Sequence, residues 1–384
     1  MKVVIAPDSF KESMSAKTVA ECIRNGIEQV RNDVTCVMVP MADGGEGTVQ
    51  ALVDATKGEI LNVQVEDPLG RPVNSFLGIL GDRKTAIIEM AAASGLELLK
   101  DKERNPLITS TYGTGQLILA AIQKDCKKII VGIGGSATND GGAGMMQALG
   151  IKLLDKKGKE IRRGGESLDK LAGIDARAID KRIADVEFLI ASDVDNPLLG
   201  KSGATHVFSP QKGATKTSID ALEKNMLHFA NLIESHTGSQ VRELPGSGAA
   251  GGLGFGMMSM LNARSEPGFD IVAKITELEK KMTRADLVIT GEGKIDSQTK
   301  FGKTPWGVAM MAKKKEIPSI AFAGRISDNA NELYKNDFRS IIEVSDRSMD
   351  LKSAMKNGKK LLTLAVNNYF QTFKVQTPSG YKPE

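Results

Sequence analysis

Short apolar segments rich in valine and isoleucine alternate along this chain with longer segments whose apolar residues recur at helical spacing. The first apolar segment, "KVVIAPDSFK", covers residues 2–11, and a helical pattern follows from Ser15 to Val30, with Ser15 as a candidate N-cap. The alternation resumes with "TCVMVPMADGGEGT" at 35–48 and continues to a last helical pattern near 353–373. Such alternation is typical of βαβ units, so the sequence predicts an α/β fold with a parallel sheet.

Residues 59–91 depart from this alternation. Apolar and polar residues alternate along the segment. Two turn sequences, Asp-Pro-Leu-Gly at 67–70 and Gly-Asp-Arg-Lys at 81–84, divide it into three parts. The pattern predicts a three-stranded antiparallel meander, preceded by a helix that Gly58 closes as a C-terminal cap.

The length of the chain predicts two domains, because 384 residues exceed the usual size of one hydrophobic core. We expect a discontinuous Rossmann-like domain from residues 1–57 and 284–384, since the last three apolar segments and the last helix should return to the first sheet. Residues 58–283 would form an inserted mixed α/β domain that begins with the meander. The active site is expected in the cleft between the two domains.

Composition excludes several classes of partner. The net charge of +4 is spread along the chain and aromatic residues make up 4%, so no nucleic-acid surface is indicated. We find no apolar run long enough to span a membrane and no N-terminal signal pattern, and we therefore expect a cytoplasmic protein. Three cysteines without C-x-x-C spacing indicate neither disulfides nor structural zinc. The oligomeric state stays open between monomer and homodimer.

Carboxylates follow five of the predicted strands, and three of the loops involved also contain glycines. Glycine is abundant, at 40 of 384 residues, compared with about 7% in an average protein. Turn formation or helix capping could explain any one of these loops, but it explains all five less well. Because open α/β sheets bind ligands at the carboxyl ends of their strands, the five loops could converge on one site. The carboxylates are Asp8, Asp43, Asp140, Asp193 and Asp296.

Several kinds of catalytic site are disfavoured because the sequence lacks the residues or motifs that they require. It holds three histidines and neither an H-E-x-x-H nor a G-x-S-x-G motif, which disfavours a His-rich metal site or a Ser-His-Asp triad. Glycine loops, carboxylates and lysines are instead what phosphoryl transfer requires, because they can cradle phosphates, hold Mg²⁺ and offset negative charge.

Two segments of the sequence resemble nucleotide-binding motifs without matching them fully. "SQTKFGKT" at 297–304 resembles a Walker A loop, but Ser297 replaces the first glycine and the apolar strand is expected to stop at Thr290. "GIGGSA" at 132–137, with Asp155 downstream, fits a dinucleotide fingerprint, although the residues 138–142 separate it from the next helix. An NAD-dependent hydroxy-acid dehydrogenase therefore remains an alternative. A second alternative is a non-catalytic two-lobed carboxylate-binding protein, against which the surplus of carboxylates argues.

Several long blocks resemble successive signatures of the bacterial glycerate kinase family, in the same order and from Met1 to about Phe373. They are "KVVIAPDSFKESMSA", "MADGGEGT", "YGTGQLI", "GIGGSATNDGGAGMMQALG", "ASDVDNPLLG", "FSPQKGA", "GSGAAGGLGFG" and "ITGEGKIDSQTKFGKTPWGVA". The resemblance implies a two-domain α/β kinase that uses ATP to phosphorylate D-glycerate, in this branch usually on the 2-hydroxyl, with its site in the cleft. It assigns no roles to single residues.

Roles are assigned here from residue chemistry. The candidate catalytic residues are Asp193, Lys11, Asp8 and Lys294, with the lysines offsetting phosphate charge and Asp193 accepting a proton or holding Mg²⁺. The candidate Mg²⁺ ligands are Asp195 and Asp296. The candidate residues for substrate or phosphate binding are Ser9, Asp43, Gly44, Gly45, Gly134, Gly135, Ser136, Thr138, Asn139, Asp140, Gly291, Glu292 and Gly293.

Overall fold

A computed structural model describes residues 1–300, 302–327, 329–330 and 334–373 of the chain. In chain order the strands are β1 (Lys2–Ile5), β2 (Thr35–Met38), β3 (Glu59–Glu66), β4 (Pro72–Ile79), β5 (Thr85–Glu89), β6 (Lys128–Gly132), β7 (Lys152–Leu154), β8 (Gly173–Asp175), β9 (Glu187–Ala191), β10 (Arg264–Glu266), β11 (Leu287–Ile295), β12 (Ser319–Ile326) and β13 (Ser340–Glu343).

The α-helices are α1 (Ala16–Glu28), α2 (Thr48–Thr56), α3 (Ala91–Ser94), α4 (Tyr112–Gln123), α5 (Ala143–Ala148), α6 (Ala204–Phe208), α7 (Lys216–Thr237), α8 (Ala249–Leu261), α9 (Gly268–Ile275), α10 (Leu278–Lys281), α11 (Thr304–Lys314), α12 (Leu351–Lys356) and α13 (Gly358–Thr372). Short 3-10 helices cover Leu96–Leu98, Asp101–Glu103, Gly165–Lys170, Lys181–Asp185 and Pro210–Lys212. No helix within the described ranges is long and apolar enough to cross a membrane.

Two compact units make up the chain. The first unit is Met1–Met41 with Glu277–Glu384, and the second is Ala42–Thr276. These boundaries differ from the expected ones after residues 57 and 283. The segment after Met41 belongs to the second unit because α2 packs on β4 and β5, where the side chains of Val49 and Val53 lie against Gly78.

The first unit is built on a parallel sheet of order β13-β12-β11-β1-β2. This order confirms the expectation that the last three strands return to the first sheet. The predicted N-cap is also confirmed, since the Ser15 hydroxyl accepts a hydrogen bond from the Thr18 N–H at 3.3 Å. α13 packs on α1 at Gly26, where an added Cβ would lie 2.7 Å from the Thr363 carbonyl oxygen. The single final helix expected from the sequence is instead two helices, α12 and α13.

β11 does not end at Thr290, as the sequence suggested, but continues to Ile295 in register with β12. The prediction failed because glycines at 291 and 293 read as a loop. The glycine at 291 instead allows close strand contact, since a Cβ there would lie 2.3 Å from the Phe322 carbonyl oxygen. Gly291, Glu292, Gly293 and Lys294 are therefore strand residues.

The second unit contains a mixed sheet of order β10-β9-β6-β5-β4-β3. β3, β4 and β5 form the predicted antiparallel meander, and the remaining neighbours pair in parallel. Gly58 is not the helix cap, because Lys57 takes the left-handed conformation with φ 57°. Gly58 is needed for a different reason: a Cβ there would lie 2.2 Å from the Ile79 carbonyl oxygen.

Candidate active site

A cavity of about 310 Å³ lies within the second unit, where the neighbouring parallel strands β6 and β9 end. Its position follows the rule that open α/β sheets bind ligands beyond the carboxyl ends of their strands. The lining residues that the sequence had singled out are Asp43, Gly44, Gly45, Gly134, Gly135, Ser136 and Asp193. The cavity therefore brings together three of the predicted loops.

The loop after β6 supplies one wall of the cavity. Gly135 has φ +72°, a left-handed conformation that glycine adopts without strain. The backbone N–H groups of Gly134, Gly135 and Ser136 donate no hydrogen bond to any residue that the structure describes. Consecutive free N–H groups in a loop of this kind form an anion-binding concavity.

Lys212 also lines the cavity, although sequence reasoning did not select it. It ends the 3-10 helix Pro210–Lys212 and is only 1% exposed. Its Nζ donates hydrogen bonds to the Ser136 hydroxyl oxygen and to the Thr138 carbonyl oxygen, both at 2.7 Å. Burial lowers the pKa of Lys212 to about 7, and the negative charge of Asp140 opposes that shift. In the sequence, the feature that pointed to Lys212 was its place in the block "FSPQKGA".

Asp193 is an acidic residue that lines the same cavity as Lys212. Its side chain is exposed at the cavity, and one carboxylate oxygen accepts a hydrogen bond from the Gly268 N–H at 3.1 Å. Partial desolvation raises the pKa of Asp193 to about 7, with smaller contributions from the negative charges of Asp43, Asp270 and Asp195. The cavity thus combines positive and N–H donor groups with carboxylate acceptors.

Thr138, Asn139 and Asp140 are fully buried and do not line the cavity. The Asp140 carboxylate accepts hydrogen bonds from three backbone N–H groups, those of Thr111 at 2.8 Å and of Gly142 and Gly144 at 3.2 Å. It also accepts one from the Thr111 hydroxyl at 2.9 Å. These contacts hold the turn that leads into α5, so the Asp140 carboxylate has a structural role. Desolvation raises the pKa of Asp140, and these hydrogen bonds oppose the shift.

Glu89 is a second buried acid that the sequence analysis did not select. It ends β5, and its carboxylate accepts a hydrogen bond from the Val49 N–H at 2.8 Å at the start of α2. Desolvation raises the pKa of Glu89 to about 7. The sequence signal was a glutamate at the end of an otherwise apolar strand.

The remaining predicted residues lie in the first unit. Asp8, which follows β1, accepts hydrogen bonds from the Ser9 N–H and the Thr304 hydroxyl, each at 2.6 Å. Glu292 is 8% exposed and contacts the Thr299 hydroxyl at 2.7 Å and the Lys303 ammonium at 3.4 Å. Burial raises the pKa of Glu292 to about 7, which the positive charge of Lys303 opposes.

Exposed lysines complete this part of the first unit. Lys294 pairs with Asp296 at 3.2 Å, and the other Asp296 oxygen accepts a hydrogen bond from the Gln298 N–H at 3.0 Å. Lys11 is exposed beyond β1. Asp296 is therefore already engaged by protein groups.

The segment that resembles a Walker A loop connects β11 to α11, as a phosphate-binding loop would. Three of its N–H groups are used within the protein, since Gln298 and Thr299 donate to Asp296 and Lys300 donates to the Tyr334 hydroxyl. Phe301 lies outside the described residues. Gln298, Thr299 and Lys300 therefore do not offer free N–H groups to a phosphate, whereas those of Gly302, Lys303 and Thr304 donate to no residue that the structure describes.

The described part of the chain contains no group of three or more His, Cys, Asp or Glu side chains that could hold a metal ion. Mg²⁺ does not require such a group, because proteins often bind it through one or two carboxylates together with substrate phosphates. The negative charges of Asp43 and Asp195 contribute to the raised pKa of Asp193, which places the three carboxylates near one another. Their oxygen chemistry and excess negative charge fit Mg²⁺.

The fold and the site together define an α/β enzyme with a parallel sheet in one unit and a mixed sheet in the other. A family model described as the glycerate kinase family matches residues 3–374, and the chain belongs to that family. This confirms the resemblance seen in the sequence. It also favours a kinase over the dehydrogenase and the non-catalytic binding protein.

Similar proteins cover nearly the whole chain. A glycerate kinase from Bacillus subtilis (strain 168) is 51% identical over 94% of this chain and 95% of its own length. A glycerate 2-kinase from Escherichia coli (strain K12) is 46% identical over 98% of each chain. A crystal structure from Salmonella typhimurium LT2, of a protein assigned as glycerate kinase 2, has a TM-score of 0.89 and 46% identity. It covers 97% of this chain and 98% of that one.

Proposed function

We propose that this protein transfers the γ-phosphoryl group of ATP to the 2-hydroxyl of D-glycerate and forms 2-phosphoglycerate. The observation that carries the proposal is the cavity of the second unit, which offers N–H groups and a lysine for an anion and carboxylates for a hydroxyl. The E. coli relative, a glycerate 2-kinase, supports the choice of hydroxyl.

Asp193 is the proposed general base. It follows β9, so its backbone is held by the sheet while its carboxylate faces the cavity. The substrate hydroxyl oxygen attacks the γ-phosphorus, the bond between that phosphorus and the bridging oxygen breaks, and ADP leaves. Asp193 accepts the hydroxyl proton. Asp43 is proposed to orient the hydroxyl.

Mg²⁺ would be held by Asp195 in the second unit. When bound, the ion would supply positive charge that offsets part of the negative charge of the phosphates. Asp296, the other ligand expected from the sequence, is the weaker candidate because Lys294 and the Gln298 N–H already occupy its oxygens. A metal role for Asp296 would require these contacts to break.

The first unit is proposed to bind the phosphates of ATP. Its candidate residues are Asp8, Ser9, Lys11, Gly291, Glu292, Gly293 and Lys294. The lysines would offset the charge that develops on the leaving phosphate, and Glu292 would position Lys303, whose ammonium it contacts at 3.4 Å.

A product assay tests the proposed function. The protein is incubated with ATP, MgCl₂ and a panel of hydroxy acids, and phosphorus NMR identifies which hydroxyl carries the phosphate. We expect 2-phosphoglycerate from D-glycerate and no product once EDTA has removed Mg²⁺. A parallel incubation with NAD or NADP should show no reduction of the cofactor. Nicotinamide reduction, or 3-phosphoglycerate as the product, would contradict the proposal.

Ligand binding should also stabilise the folded protein. Because Mg²⁺ and ATP bind the native state, their addition at about 100 times the dissociation constant should increase the free energy of unfolding by roughly 2.7 kcal/mol. A thermal melt measures the effect as a higher Tm. MgCl₂ alone and NAD are the controls, and an unchanged Tm with Mg²⁺ and ATP at saturating concentration would count against a nucleotide site.

A further inference from the structure

Lys212 is a buried lysine at the cavity wall, and its hydrogen bonds to the residues that the structure describes leave one donor of its ammonium group unused. A protonated lysine has three N–H donors, and two of them bind the Ser136 hydroxyl and the Thr138 carbonyl. Within the part of the chain that the structure describes, no carboxylate forms an ion pair with Lys212. Asp140 acts on it only through its charge, while its oxygens bind Thr111, Gly142 and Gly144.

The groups beside Lys212 share its chemistry. Ser136 accepts the hydrogen bond from Lys212 and therefore keeps its own O–H free to donate. The N–H groups of Gly134, Gly135 and Ser136 donate to no described residue. The residues that carry this ammonium group, this hydroxyl and these three amides consequently line one cavity, and the ammonium group contacts the hydroxyl directly. This donor set is suited to a bound oxyanion.

We propose that Lys212, the Ser136 hydroxyl and the amides of residues 134–136 bind the carboxylate of the hydroxy-acid substrate, and that Lys212 is the residue that selects acids over neutral alcohols. This inference rests on the proposed function, and it names the ligand of the anion site. It also sets the orientation of the substrate, with the carboxylate at Lys212 and the hydroxyl at Asp193.

A carboxylate fits better than a phosphate for two reasons. Asp43 and Asp193 line the same cavity, and their negative charge would repel a triphosphate more strongly than a singly charged acid. They would also accept hydrogen bonds from substrate hydroxyls. The volume of about 310 Å³ is at the lower end for small-molecule sites, which suits a three-carbon acid.

Steady-state kinetics of Lys212→Met test the proposal. Removing one partner of a buried charge pair costs roughly 2–5 kcal/mol, so the KM for D-glycerate should rise about 30-fold or more. The KM for ATP should stay within about twofold. The preference for D-glycerate over its neutral amide should fall by about the same factor as the glycerate KM rises, because the amide never used the charge.

The matched control is Lys216→Met, which removes an exposed lysine four residues further along. We expect wild-type kinetics from it. Since Lys212→Met leaves the Thr138 carbonyl without its partner, Tm is measured alongside. If Lys212→Met does not fold, Ser136→Ala replaces it, because that change keeps the buried lysine and removes only one donor. Its glycerate KM should rise roughly tenfold, the loss of one charge-assisted hydrogen bond.

Calorimetric binding of D-glycerate without ATP provides a readout that a purely structural lysine would not move. Because burial lowers the pKa of Lys212 to about 7, the side chain is mostly neutral at pH 8.5. A bound carboxylate should raise that pKa, so binding takes up a proton, which two buffers of different ionisation enthalpy reveal. Lys212→Met should lose this uptake, whereas Lys216→Met should keep it.

The outcomes separate this inference from the proposed function. A raised KM for ATP with an unchanged KM for glycerate would show that the anion is a phosphate and would overturn the assignment. Unchanged values for both substrates would make Lys212 structural. A wild-type protein that binds glycerate through Lys212 but does not phosphorylate it would contradict the proposed function and would leave this inference standing. Absence of glycerate binding to the wild type would overturn the inference.

Discussion

Asp193→Asn should lower kcat by roughly 10²–10⁴-fold, the usual contribution of a general base, while Tm stays within about one degree of the wild type. The amide keeps the size of the side chain but can no longer accept the substrate proton. The structural contact that it replaces is small, a single hydrogen bond from the Gly268 N–H to an exposed side chain. Initial rates with saturating D-glycerate and ATP measure the effect.

Asp220→Asn is the matched control for Asp193→Asn, because Asp220 is an exposed carboxylate on α7. It should retain wild-type turnover. A Mg²⁺ titration of Asp193→Asn then separates two roles: a metal ligand should regain part of the activity at high Mg²⁺, whereas a base should not. Wild-type turnover in Asp193→Asn would show that Asp193 is only a turn residue and that the proposed centre of the site is wrong.

The fold was largely predictable because its periodicities are strong. Val3 and Ile5 pair in register with Leu287 and Ile289, which are far away in the sequence, and each lies in an apolar segment that can be recognised alone. Glycines that serve close packing were wrongly predicted to form a helix cap or a loop. Gly58 and Gly291 provide room for a neighbouring carbonyl, and that requirement arises only when distant strands meet.

The candidate site was predictable only in part. Residues at strand ends, such as Gly134, Ser136 and Asp193, could be found because parallel strands end at a common edge. Lys212 could not, since it lies in a short 3-10 helix and enters the site through tertiary packing. The sequence also could not separate Asp43, which faces the cavity, from Asp140, which is buried beside backbone amides. Both have the same spacing from glycines.

Asp140→Ala should destabilise the protein by about 3 kcal/mol or more, because it leaves three buried N–H groups without an acceptor and each such group costs about 1–3 kcal/mol. Asp140 itself is 0% exposed, so water cannot easily replace the carboxylate. The matched control is Asp155→Ala. Asp155 also accepts hydrogen bonds from two N–H groups, those of Lys157 and Lys159, but it is half-buried and the residues 156–160 that follow it are exposed.

Urea unfolding followed by circular dichroism compares the two variants, and Asp155→Ala should lose less than about 1 kcal/mol because water satisfies the exposed amides. Turnover per folded molecule at saturating D-glycerate and ATP, measured well below the melting transition, should remain near the wild-type value in Asp140→Ala, whereas the KM for D-glycerate should rise because the Asp140 charge no longer raises the pKa of Lys212. This expectation opposes the assignment of Asp140 to substrate binding from the sequence. A large loss of kcat with unchanged stability would support that assignment, and would mean that the Asp140 carboxylate becomes accessible to substrate during turnover.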